Sequence, residues 1–139
     1  MGLFTFLNLK TNQPATNVVA WNLSKNEKLA VTVAMHLVVN RYGKRRIYPQ
    51  EANYIHAIEK RVLDLAEKDI VAIRAADFNP FSILQAMPNK HKRYFAAVFY
   101  ELATLVQDQA VIGRASVVIR DLGFSMTDLS NQTAFLAPR

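Results

Sequence analysis

The sequence predicts an all-α fold, a bundle of six or seven helices, and three observations lead to that prediction. Apolar residues recur at helical spacing, most clearly at Ile55, Ile58, Val62, Leu65 and Ala66, which stand at i, i+3, i+7, i+10 and i+11. Helix-start residues precede the apolar stretches, and no hairpin turn joins two alternating segments. With 139 residues, 51% of them hydrophobic, the chain is long enough for one domain with its own core.

Capping residues and proline place the first three helices. The first begins at Ser24, because Glu27 three residues later completes a capping box, and it runs to about Arg41. The second begins at Pro49, because the backbone N–H that proline lacks has no helical partner at the first position of a helix. A shorter helix follows over about 67–76.

Four further helices are predicted from the same signals, a cap or a proline at the start and a proline or glycine at the end. They cover Asn79–Pro88, Lys90 to about Gln107 after an Asn89 cap, Val111–Leu122 before Gly123, and a final turn or two from Ser125 with Asp128.

The ends of the chain differ from its middle. We expect an N-terminal arm over 1–23, a helical domain over 24–131 and a tail over 132–139. The arm starts with four large apolar residues, Leu3, Phe4, Phe6 and Leu7, which either pack on the domain or attach it to a membrane surface. It lacks the features of a signal peptide, and together with the absence of cysteine this favours a cytoplasmic location.

Chemistry-bearing motifs are absent from the sequence. Zero cysteines exclude disulfides and thiol nucleophiles, and no phosphate-binding glycine loop or metal-binding motif occurs. His36 is interpreted as a core residue, and His56, with Glu59 and Lys60 nearby, as part of a surface pair. The sequence therefore predicts a protein that is not an enzyme, with no catalytic residue, metal site or cofactor.

Positive charge collects in two segments of a chain whose formal net charge is +6. The residues expected to contact a partner are Arg41, Lys44, Arg45 and Arg46 before the second helix, and Lys90, Lys92 and Arg93 at the start of the long one. An acidic protein is the expected partner, with nucleic acid as the alternative and a membrane surface as the third. Tyr42, Tyr48 and Tyr94 flank the segments and either stack on bases or seal the core, and each charged run is also compatible with a merely solvated surface.

Two segments, 44–51 and 108–115, each follow a long apolar helix and open another, which indicates a helix-turn-helix unit used twice. Here the chain resembles the TerB-like helical domain of the tellurite-resistance family, whose two halves repeat an Asp-Gly-x-Ile-x-Pro-x-Glu turn. The matching residues are Ile47, Pro49 and Glu51 in the first turn and Asp108 and Val111 in the second, within a region from Ser24 to Asn131. The resemblance implies a TerB-like helical bundle that acts as an interaction or stress-response scaffold.

The departures from the family's turn concern its acids, which are thought to hold a divalent metal. Lys44 and Arg45 stand where the family has Asp-Gly, and Gln109 and Ala115 stand where it has Gly and Glu. Of the motif acids only Glu51 and Asp108 remain, so the family's metal site is not expected here. We expect Glu51 to cap its own helix and to pair with a nearby arginine.

Overall fold

A computed structural model describes residues 22–40, 45–73 and 79–130. These residues form seven helices and no strand, which confirms the all-α class. The helices are α1 (Lys25–Val38), α2 (Pro49–Ala57, continued by a π-helical turn Ile58–Val62), α3 (Glu67–Ile73), α4 (Phe81–Gln85), α5 (Asn89–Thr104), α6 (Gln109–Asp121) and α7 (Met126–Ser130).

Helix α1 begins as its capping box predicts. The Ser24 Oγ accepts from the Glu27 amide at 3.1 Å, and the Glu27 Oε1 accepts from the Ser24 amide at 2.8 Å. The helix ends at Val38, earlier than expected, because Asn40 takes a left-handed conformation with φ 57°. Arg41, where the helix was expected to end, lies outside the described residues.

Helix α2 has Pro49 at its first position, as predicted, and its apolar stripe faces the core. It ends in a wide turn in which the Leu65 amide donates to the Glu59 carbonyl at 2.9 Å and Asp64 is left-handed at φ 54°. This turn keeps Leu65 buried while Ala66, the last residue of the predicted stripe, is exposed.

Helix α5 contradicts the expectation that Asn89 caps it. The capping position is Pro88, no side chain caps the helix, and Asn89 is already helical. The helix stops at Thr104 rather than near Gln107, which has φ 65°. A left-handed residue cannot continue a right-handed helix.

Helices α6 and α7 follow their sequence signals closely. The Asp108 Oδ1 accepts from the Ala110 amide at 2.8 Å, so α6 starts two residues before the predicted Val111. Gly123, at φ 97°, terminates α6 as expected. A capping box with Ser125 and Asp128 opens α7.

The core lies around α5, which packs against α1 and α6. Its inner face contributes Phe95, Phe99 and Leu102, all fully buried, and α1 contributes Met35. At one end of α5, the Arg114 Nε of α6 donates to the Val38 carbonyl at the end of α1, at 2.8 Å. The end of α1 and the start of α6 therefore share one end of the bundle.

Candidate functional site

Arg45, one of the predicted contact residues, is a largely buried cation. Its two terminal nitrogens each donate to one carboxylate oxygen of Glu51 at 2.9 Å, and its Nε donates to the Asp108 Oδ2 at 3.1 Å. One of the terminal nitrogens also donates to the Val39 carbonyl at 3.1 Å. Only 13% of the side chain is exposed. Arg45 thus joins three chain segments, and its predicted role in partner contact stays a prediction.

The electrostatics of this arginine clasp, formed by Arg45, Glu51 and Asp108, are mutually reinforcing. The hydrogen bond to Glu51, followed by the bond to Asp108, raises the pKa of Arg45 despite the opposing effect of burial. The bond from Arg45 and the amides of the α6 start hold the pKa of Asp108 below its usual value. Arg45 and Asp108 therefore remain charged at neutral pH.

Glu51 behaves as the sequence predicts. Its carboxylate accepts from the Tyr48 amide at 3.1 Å, which satisfies the start of α2, and it pairs with Arg45. The residue is fully buried. Because the guanidinium occupies the position between the Glu51 and Asp108 carboxylates, a divalent cation could bind both acids only by displacing Arg45. No group of three potential metal ligands occurs among the described residues.

The two turns that were predicted to repeat lie side by side, since Arg45 contacts Asp108. They do not open their helices in the same way. In the first turn α2 begins at Pro49, five positions after residue 44, whereas α6 begins directly after Asp108. The internal repeat stays a prediction.

The rest of the first basic segment is only partly described. Arg46 is exposed, and Arg41, Tyr42 and Lys44 lie outside the described residues. Tyr48 is 43% exposed, and its ring centroid lies 5.6 Å from the Arg45 Cζ.

The second basic segment lies within the first five residues of α5 and is called its basic turn below. Lys90 and Arg93 are exposed and Lys92 is half-buried, with its Nζ 3.4 Å from the Gln85 carbonyl oxygen. The Arg93 Cζ lies 5.3 Å from the ring centroid of Phe124. The first turn of the helix contains no acidic residue.

Tertiary structure adds two features to this basic turn. His91 has a lowered pKa because of burial and the charge of Lys90, and the charge of Glu27 on α1 acts in the opposite direction. Tyr94 is buried, and desolvation together with the charge of Glu101 raises its pKa. Its ring is therefore not available to stack on a base.

The described part of the first basic segment and the second basic segment lie at opposite ends of the bundle. Arg45 contacts Asp108, which follows the end of α5 at Thr104, whereas Lys90 is the second residue of that helix. The 16 residues of α5 span about 24 Å at 1.5 Å per residue. The described residues Arg45 and Lys90 thus do not belong to one compact surface.

Sequence reasoning missed a buried polar cluster between α1 and the end of α2. The Glu59 Oε2 lies 3.2 Å from the His36 Nε2 and also accepts from the Thr32 hydroxyl. His36 is a buried core residue, as predicted, but Glu59 faces inward while His56 is exposed, so the predicted surface pair is wrong. Burial raises the pKa of Glu59, and the bonds from His36 and Thr32 more than offset it, so the net pKa is lowered. The feature of the sequence that could have indicated this cluster is the i, i+4 spacing of Thr32 and His36, which places both on one face of α1.

No family model, curated protein or solved structure matches the chain. None of the described helices combines the length and hydropathy needed to cross a bilayer. The architecture of the described residues therefore defines the class of this protein as a seven-helix all-α bundle. In it, the arginine clasp joins the loop before α2 to the loop before α6.

Proposed function

We propose that the chain is a non-enzymatic TerB-like interaction domain that binds an acidic protein partner through the basic turn of α5, formed by Lys90, Lys92 and Arg93. One observation supports this most directly. Three cations lie within the first five residues of a 16-residue helix that has neither an acidic residue in its first turn nor a side-chain cap.

That arrangement opposes the helix dipole, whose positive end lies at the N-terminus and favours acidic side chains. The other long helices follow the rule, since Glu27 stands in the first turn of α1 and Asp108 caps α6. A helix start that departs from this local rule is typical of a functional surface. An acidic partner would supply the missing negative charge.

The distribution of carboxylates supports the same conclusion. Glu59 and Glu101 are buried, so their charges are withdrawn from the surface. Removing carboxylates from the surface leaves the exposed lysines and arginines in excess, and such an excess steers acidic partners towards the molecule.

A protein partner suits this turn better than nucleic acid does. Its tyrosine, Tyr94, is buried and cannot stack on bases. Arg93 lies over the half-buried Phe124, which gives the mixed cationic and aromatic surface that protein interfaces favour.

The TerB-like assignment draws support from the arginine clasp. The two acids that match the family's turns, Glu51 and Asp108, share one cation, and that cation is Arg45. In this proposal the guanidinium takes the place of the family's divalent metal, so the domain functions without one.

The test measures binding of a fluorescein-labelled poly-glutamate peptide by anisotropy at low and physiological salt. Wild type is compared with the Lys90→Glu/Lys92→Glu/Arg93→Glu variant and with a control, Lys60→Glu/Arg61→Glu/Lys68→Glu, which changes the charge equally at exposed positions elsewhere.

We expect salt-sensitive binding that is lost in the α5 variant and retained in the control. Equal losses in the two variants would show that only net charge matters and would refute the proposal. Tighter binding of labelled duplex DNA than of the peptide, lost in the same variant, would favour nucleic acid instead.

A further inference from the structure

Tyr48 is an exposed aromatic residue at the opposite end of the bundle from the basic turn of α5. Among the described residues, Tyr48 and Val117 are the two large hydrophobic residues that are exposed, at 43% and 47%. Tyr48 stands directly before α2, and its neighbour Arg46 is also exposed.

The backbone of Tyr48 is fixed by the start of α2. Its amide donates to the Glu51 carboxylate at 3.1 Å, and its carbonyl accepts from the amides of Glu51 and Ala52 at 3.0 Å each. Tyr48 therefore cannot move away from the helix start without breaking these bonds.

The ring of Tyr48 is also supported from one side. The Arg45 guanidinium lies 5.6 Å from the ring centroid, within the range of a cation–π contact. Arg45 is itself held by Glu51 and Asp108, so the ring rests on an immobilised group. An exposed ring that is held in place loses little conformational entropy when a second planar group stacks on it.

The surroundings of Tyr48 are polar and charged. Arg46 and Gln50 are exposed, and Ile47 packs partly against the core. A protein-binding site would need a desolvated apolar centre, which the described residues around Tyr48 do not provide. An aromatic ring beside a cation matches the base and the phosphate of a nucleotide.

We propose that Tyr48 is a stacking platform for an unpaired base of single-stranded nucleic acid, with Arg46 contacting an adjacent phosphate and Arg45 acting as a positioning residue beneath the ring. Because this site lies at the other end of the bundle, it does not depend on the acidic partner of the α5 turn.

The test uses fluorescein-labelled oligothymidylate and measures anisotropy over a range of salt concentrations. Replacing the ring with an aliphatic side chain, Tyr48→Leu, should weaken binding about 5- to 150-fold, because stacking on one base accounts for that range. Tyr48→Trp should retain binding, and Arg46→Gln should lower the salt slope by about 0.7, the value for one phosphate of a single strand.

Two controls accompany these variants. Val117→Ala alters the other exposed hydrophobic residue and should leave binding unchanged. The Lys90→Glu/Lys92→Glu/Arg93→Glu variant should also bind oligothymidylate, since it alters the opposite end. Far-UV circular dichroism and thermal unfolding establish that each variant folds.

Four results would overturn the proposal. The first is no binding of oligothymidylate by wild type at low salt, and the second is unchanged affinity in folded Tyr48→Leu. The third is affinity lost in the α5 variant but kept in Tyr48→Leu, which would place nucleic acid on the basic turn. Equal affinity for duplex DNA would likewise contradict stacking on an unpaired base.

Discussion

Removing the guanidinium of Arg45 should destabilise the fold strongly. In Arg45→Ala, Glu51 keeps its carboxylate in a site where 1% of the side chain is exposed, with the Tyr48 amide as its remaining described donor. Breaking a buried ion pair by removing one partner costs about 3–5 kcal/mol.

We expect the lower end of that range for two reasons. The Tyr48 amide and the start of α2 continue to stabilise the Glu51 charge. The Asp108 side chain is 33% exposed, so solvent screens its share of the clasp and little stability is lost there. The expected loss is therefore about 3 kcal/mol in the free energy of unfolding, or a fall of about 10 °C in Tm.

Urea denaturation followed by far-UV circular dichroism measures this loss. A double-mutant cycle then isolates the interaction energy between Arg45 and Glu51. Glu51→Gln removes the charge that Arg45 faces, so the Arg45→Ala/Glu51→Gln variant should lose about 1–2 kcal/mol less than the sum of the single variants. A loss below 1 kcal/mol in Arg45→Ala, or strict additivity in the cycle, would refute the reasoning.

Three other predictions concern α6, the buried polar cluster and metal binding. Gly113→Ala should raise the free energy of unfolding by about 1 kcal/mol, because a methyl group at this helical position meets no atom within 4 Å; an unchanged urea midpoint would contradict this. Glu59→Gln should lower the free energy of unfolding by about 1–3 kcal/mol at neutral pH, because a neutral amide bonds His36 more weakly than a carboxylate does. Because the folded pKa of Glu59 is lowered, the stability from its charge is present above its unfolded pKa of about 4.3 and is lost as the pH falls through the folded value. The difference in free energy of unfolding between wild type and Glu59→Gln should therefore become smaller when the urea titrations are repeated at acidic pH. A difference that does not change with pH would show that the Glu59 charge does not stabilise the fold. Added Mg²⁺, Ca²⁺ or Mn²⁺ should leave Tm unchanged, since Arg45 occupies the position between Glu51 and Asp108. A rise in Tm at millimolar metal would show that a divalent cation binds these two acids and would contradict the prediction.

The starts of several helices could be predicted because capping acts within a few residues. Ser24 with Glu27, Ser125 with Asp128, and Pro49 all begin helices where the sequence places them. The failed cap at Asn89 marks the limit of this reasoning. Pro88 already occupies the capping position there, so Asn89 becomes the first helical residue.

The sequence by itself determined the all-α class, most helix starts and the local role of Glu51, since these depend on periodicity and on contacts between near neighbours. Tertiary structure alone decided which charges remain at the surface. Arg45 meets Asp108 across 63 positions, and Glu59 meets His36 across 23. A charged side chain looks the same in a sequence whether it faces water or a distant partner, and only the packing of α1, α2 and α6 brings those partners within bonding distance.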